Sequence, residues 1–121
     1  MKTFAIALLS IALSVTAQFL LKAGMSQPGV RAAMASAQAL DSALAVLANP
    51  YVLGGFALYG LGAVVWLGVL SQWDVSKAYP LVGLGFVLTV AAGLMMGEQV
   101  SVLRAGGVAL ICAGVFMVAR S

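Results

Sequence analysis

The chain has 121 residues, 64% of them hydrophobic and 7% charged, with a formal net charge of +3 and no histidine. A soluble domain of this size has too little interior to hide so much apolar surface, so the bilayer is its solvent. A histidine proton relay is excluded, and Cys112, the single cysteine, rules out an intramolecular disulfide and a cysteine-built metal site.

Four apolar runs are long enough to cross a membrane: Thr3–Leu21, Tyr51–Leu70, Ala78–Met96 and Val102–Ala119. Each approaches the roughly 20 residues that a hydrocarbon core of about 30 Å requires. In lipid such runs must be helices, because exposed backbone groups find no water there. The expected class is an all-α membrane protein, with residues 1–121 forming one domain of four transmembrane helices and an interfacial helix between the first and second. No nucleic acid, cofactor or metal is expected.

In the first run, Lys2, an apolar stretch and Val15-Thr16-Ala17 fit the template of a cleaved secretory signal. Apolar character resumes in Phe19-Leu20-Leu21 and leads to Lys22, so a retained first helix with polar residues in its second half is the better expectation. Ser10, Ser14, Gln18 and Lys22 follow one another at intervals of four. On a helix this makes a stripe that drifts about 40° and rises about 6 Å per step. The structural account is that the serines bond back to their own helix, Gln18 bonds a neighbouring helix and Lys22 snorkels to the interface. The functional account is a polar path from mid-membrane to one surface. A lysine at the bilayer centre costs roughly 2.5–3.5 kcal/mol, and less near a helix end, where Lys22 lies.

Gly24, Pro28 and Gly29 end the first helix. The alanine-rich segment that follows predicts an amphipathic helix over about residues 30–48, too polar to span. Ala33, Ala37, Leu40, Leu44 and Leu47 share one face; Arg31, Gln38, Asp41 and Ser42 share the other. Asn49-Pro50 is a start signal for the second transmembrane helix, which carries five glycines, Tyr59 and Trp66. Gln72–Lys77 reads as a tight polar turn, and Tyr79-Pro80 opens the third helix. There Gly83, Gly85 and Gly93 allow close approach of neighbours. Ser101 is the expected N-cap of the fourth helix. Gly106, Gly107 and Gly114 give that helix a smooth seam, suited to packing on a second copy or another subunit. Cys112 is read as a small packing residue.

Lys2, Lys77 and Arg120 fall on one side of the membrane, against Lys22, Arg31 and Arg104 on the other. This balance sets no orientation, and an antiparallel pair is compatible with it. The carboxylates Asp41, Asp74 and Glu98 all lie in loops or at helix ends. A carrier exchanging protons for organic cations needs a carboxylate within a span, to titrate and to pair with the cation. This chain offers a lysine, which suits an anion such as a phosphate. Glu98 and Arg104 are close enough across the last turn to pair, and Arg104 could equally face a lipid phosphate.

Taken together, "LSVTAQFLLK", "VSKAYPL", "GEQVS" and "GGVALICAGVFMV" resemble the small multidrug resistance group of the drug/metabolite transporter superfamily. Within it, the chain is most similar to the ArnE/ArnF-type subunits of the aminoarabinose–undecaprenyl-phosphate flippase. The resemblance covers the chain except Gln27–Ala48. Multidrug members carry a membrane glutamate where this sequence has Ser14, whereas the lipid-flippase branch has a small polar residue, with the glutamine and lysine that match Gln18 and Lys22. The resemblance implies a bacterial inner-membrane flippase rather than an enzyme, acting on a polyprenyl phosphate-linked sugar. With the glycine seam of the fourth helix, a homodimer, or a heterodimer with a related four-helix subunit, formed through that helix is expected. The substrate-binding residues expected are Lys22 and Arg104 for the phosphate, Ser14, Gln18 and Tyr79 for the sugar, and Glu98. Two other readings fit the residues: an exporter of small amphipathic compounds, and a non-transporting assembly subunit.

Overall fold

The computed structural model describes residues 2–36 and 38–121. Four helical stretches are long and apolar enough to cross a membrane: Lys2–Met25, Pro50–Leu70, Val75–Met95 and Val102–Arg120. The pair at the heart of the fold is α1 (Lys2–Met25) and the second spanning helix, which pack along most of their lengths. Small residues make this possible. Ala7, Ser10 and Ala17 are buried on α1. Opposite them, a Cβ added at Gly55 would lie 2.8 Å from the Leu21 side chain and 3.1 Å from the Ala17 carbonyl oxygen. Helices without side chains at the contact approach closely enough for dispersion and polar bonds to hold them in lipid. Ser10 supplies such a bond, its Oγ donating to the Gly62 carbonyl at 2.7 Å.

The first helix runs one turn beyond the predicted Leu21, to Met25, so Lys22 is helical rather than flanking. Gly24 then lies against the start of the next span: a Cβ there would come within 2.6 Å of Val52 Cγ2 and 2.8 Å of Asn49 Oδ1. The intervening segment is two helices, α2 (Pro28–Ala35) and α3 (Ala39–Ala48), where one over residues 30–48 was expected. Extended backbone at Ser36 and Gln38 breaks it, and the Ser36 Oγ accepts from the Gln38 N–H at 3.2 Å. Short polar side chains offer the backbone such local partners and so compete with helix continuation. Ser42 Oγ donates across the break to the Ala33 carbonyl at 2.8 Å. Leu40, Leu44 and Leu47 point outward together, whereas Val30 is the one buried residue of this segment among those described. Ala37, assigned from sequence to the leucine face, lies outside the described residues.

The second spanning helix, α4 (Pro50–Leu70), begins as its sequence predicts, with Asn49 Oδ1 accepting from the Tyr51 and Val52 N–H groups. The third span starts earlier than Ala78. It comprises α5 (Val75–Ala78), a 3-10 turn (Tyr79–Gly83) and α6 (Leu84–Met95), so Pro80 sits inside it rather than at its opening. Proline has no N–H to give and crowds the preceding turn, and the tighter 3-10 winding absorbs the interruption. Leu81 and Gly83 are buried in this section. Gly83 receives Ile111 and Val115 of the last helix, α7 (Val102–Arg120), at 2.8 and 3.0 Å from a hypothetical Cβ.

Beyond that contact α7 is sparsely packed. Val102 and Leu103 are 90% and 88% exposed, and Leu110, Phe116 and Met117 also face outward. Gly106, Gly107 and Gly114 have nothing within 4 Å of a hypothetical Cβ.

Candidate functional site

A lateral groove runs between α1 and α4 on one wall and the 3-10 turn and α6 on the other. At one end a cavity of about 380 Å³ is lined by Ser14, Tyr59, Trp66 and Tyr79 among others. Ser14 and Tyr59 also line the next, of about 370 Å³, together with Gln18, Phe86 and Thr89. Gln18 and Thr89 continue into a third, of about 450 Å³, which contains Lys22 and Glu98. Glu98 and Thr89 in turn border a fourth, of about 280 Å³, with Arg104. Each cavity shares lining residues with the next, so the four lie side by side along one track. All six residues singled out from sequence line it: Ser14, Gln18, Lys22, Tyr79, Glu98 and Arg104.

The polar stripe of α1 divides along this track. Ser10 is buried, 3% exposed, and committed to the Gly62 carbonyl. Ser14, one turn on, lies over Gly62, its Oγ 3.2 Å from where a Cβ there would be. Among the described residues its hydroxyl has no hydrogen-bond partner in the chain, so it presents a free donor and acceptor to the groove. Gln18 Nε2 donates to the Tyr59 hydroxyl at 3.2 Å, joining α1 to α4 across the groove wall. Neither serine bonds back to its own helix; that role falls to Thr16 and Thr89, whose Oγ1 atoms donate to Ala12 and Gly85 at 2.8 and 2.7 Å. Lys22 is exposed at the groove's charged mouth.

Glu98 reaches that mouth through the way α6 ends. Gly97 adopts φ +90°, and the Glu98 N–H donates to the Gly93 carbonyl at 2.8 Å, while the Gly97 N–H donates to Leu94 at 3.2 Å. This is the Schellman pattern, which turns the chain sharply back on the helix. Only a residue without a Cβ takes the left-handed conformation at little cost. The Glu98 carboxylate then lies over Gly93, with Oε1 3.1 Å and Cδ 3.2 Å from the position of a Cβ at that glycine. The pairing of Glu98 with Arg104 considered from sequence does not form. Instead the Arg104 guanidinium folds onto its own turn and donates to the Gln99 carbonyl at 3.1 Å, while its N–H is capped by Ser101 Oγ at the same distance.

The sequence-derived site omitted Tyr59, Trp66 and Thr89. The first two fall with Gly55 and Gly62 at spacings of four, three and four along α4, a single helical face. That shared face was a readable signal that the aromatic residues border the α1 contact. Thr89 carries no such signal, since its place depends on how Pro80 redirects the third span.

The chain is 42% identical over 78 residues to a probable 4-amino-4-deoxy-L-arabinose-phosphoundecaprenol flippase subunit ArnE from Pseudomonas savastanoi pv. phaseolicola, covering 64% of this chain and 68% of the relative. A protein of the same name from Pseudomonas aeruginosa is 38% identical over 84 residues, 69% of this chain and 73% of that one. A probable ArnF subunit of the corresponding flippase from Sodalis glossinidius matches at 37% over 117 residues, 93% of this chain and 86% of the relative. No family model matches the chain, and no solved structure matches it significantly.

Proposed function

Because the chain belongs to the family of ArnE and ArnF flippase subunits, we propose that it translocates an undecaprenyl phosphate-linked sugar across the bacterial inner membrane, as a multi-pass transporter subunit and not as an enzyme. The observation that carries this reading is the row of four cavities that share lining residues, with charged groups Lys22, Glu98 and Arg104 at one end and uncharged polar groups along the rest. A groove open to lipid lets a headgroup travel inside the protein while its polyprenyl tail stays in the bilayer. Four short helices leave no room for an enclosed chamber of that size.

In this mechanism Lys22 holds the phosphate by charge-assisted hydrogen bonds, helped by Arg104, and Ser14, Gln18 and Tyr79 bond the sugar. The Tyr59 hydroxyl keeps the Gln18 amide aimed along the groove. Translocation is a rocking of one bundle against another. The second bundle is a related four-helix subunit, seated on α7, whose outward apolar side chains and uncovered glycines leave a smooth face. The leucine face of α3 rests in the headgroup layer.

The test is lipid flipping in reconstituted vesicles by the chain with its pairing subunit. Loss of a charge-assisted contact of about 1.5–3 kcal/mol slows capture roughly tenfold or more. Lys22→Ala and Gln18→Ala proteins that insert normally are expected to flip the lipid more slowly, and full rates in both would refute the assignment.

A further inference from the structure

We infer that Glu98 is the residue that selects an amine on the lipid headgroup, so that the charged mouth recognises a zwitterion: phosphate at Lys22, ammonium at Glu98. The inference rests on the flippase reading above and adds to it a specificity determinant. Three observations carry it. Among the described residues Glu98 is the only acidic side chain bordering the groove; Asp41 and Asp74 line none of its cavities. Glu98 is held there by a dedicated backbone device, since Gly97 supplies the left-handed turn and Gly93 leaves the space over which the carboxylate lies. The carboxylate is also unspent: no ion pair engages it among the described residues, and Arg104, its nearest basic neighbour in sequence, is turned onto Gln99.

A carboxylate in this position is a poor feature for a site that binds phosphate alone. It repels the anion that Lys22 attracts, and it shares a cavity with Lys22. Its presence is accounted for if the ligand brings a positive charge as well. A headgroup with an ammonium a few bonds from its phosphate satisfies both side chains at once. A plain polyprenyl phosphate, or one whose sugar carries only hydroxyls, satisfies one and leaves the other opposing it. Discrimination of this kind comes as much from the repelled competitor as from the favoured ligand.

The experiment uses the full chain with its pairing subunit in lipid nanodiscs and three probes: undecaprenyl phosphate, the same lipid bearing a 4-amino-4-deoxypentose, and that lipid with its amine acetylated. Affinities are read by native mass spectrometry of the retained lipid. The wild type is expected to favour the amino lipid over the acetylated one by about tenfold or more, the scale of one hydrogen bond to a charged group. Glu98→Gln is expected to abolish that preference and to hold the acetylated lipid more tightly than wild type does, because the carboxylate that opposes its phosphate is gone. Lys22→Ala weakens all three probes. Equal wild-type affinity for the amino and acetylated lipids overturns the inference and leaves the flippase reading standing. So does a preference for the amino lipid that survives in Glu98→Gln. Failure of the wild type to bind any of the three overturns the flippase reading, and the inference with it. The acetylated probe needs no variant, so the comparison holds even if Glu98→Gln folds poorly.

Discussion

Ser10 and Ser14 are one helical turn apart, carry the same side chain and face the same partner helix, yet the structure gives them opposite duties. Replacing Ser10 by alanine removes a 2.7 Å bond to the Gly62 carbonyl at a position only 3% exposed. Interhelical hydrogen bonds in membranes contribute about 0.6 kcal/mol on average and up to about 1.7 kcal/mol. This bond is short and buried against a glycine, which places it in the upper part of that range, at about 1–1.5 kcal/mol. Alanine retains the Cβ, so the gap left is no larger than one oxygen atom. Ser14→Ala removes a hydroxyl with no partner among the described residues, so its effect on stability is close to zero, while the groove loses one of its few free polar groups. Reversible unfolding in mixed micelles measures the first quantity, and flipping rate per inserted molecule measures the second. Ser10→Ala is expected to lower stability and keep the rate per folded molecule; Ser14→Ala is expected to do the reverse. Equal destabilisation by both, with normal transport in Ser14→Ala, would refute the division of the stripe.

Gly97→Ala places a Cβ on a backbone at φ +90° and is expected to cost about 1–2 kcal/mol, with a loss of lipid selectivity as Glu98 is displaced; unfolding in micelles alongside the three-probe binding assay checks both. Gly24→Ala drives a methyl to within 2.6 Å of Val52 and 2.8 Å of the Asn49 cap, so a loss of about 1–3 kcal/mol is expected from overpacking. A Cβ added at Gly107 meets nothing within 4 Å; Gly107→Leu is expected to leave the protomer's unfolding midpoint unchanged and to abolish pairing with the second subunit, as read by cross-linking in vesicles.

The spans were legible because each is a long run of apolar side chains bounded by glycine, proline or a polar cap, and lipid leaves such a run no alternative to a helix. Asn49 and Ser101 were legible as caps because a short polar acceptor before an apolar run satisfies N–H groups that nothing else in lipid can. The break marked by extended backbone at Ser36 and Gln38 was not. A segment rich in alanine has strong helix propensity throughout, and what interrupts it is a choice of local hydrogen bonds worth little each. Nor was the early start at Val75 legible, because Pro80 favours a helix opening in isolation, and burial of Ala78 and Leu81 against α1 and its neighbours overrides that preference. At the groove, the spacing of Ser14, Gln18 and Lys22 exposed one wall from sequence alone. The opposite wall depends on where a turn of 3-10 helix aims Thr89 and on a left-handed glycine that swings Glu98 back. Both are geometric consequences that no periodicity encodes.

The placement of charge along the groove bears on how transport could proceed without a deep carboxylate. A fixed charge near the bilayer centre costs roughly 2.5–3.5 kcal/mol on insertion scales. It would also act unevenly on a headgroup moving past it: a carboxylate would repel the phosphate, and a lysine would hold it. Conduction through a binding site requires attraction strong enough to enter and weak enough to leave. Here Lys22, Glu98 and Arg104 line two neighbouring cavities at one end, and on the proposed path that end meets the headgroup layer, where water screens charge. The middle offers the Ser14 hydroxyl and the Gln18–Tyr59 pair, groups that donate and accept without net charge. On the proposed path, capture and passage are therefore separate tasks in separate places. Changing the charges at the mouth should alter which lipid enters, whereas changing the neutral middle should alter how fast it crosses.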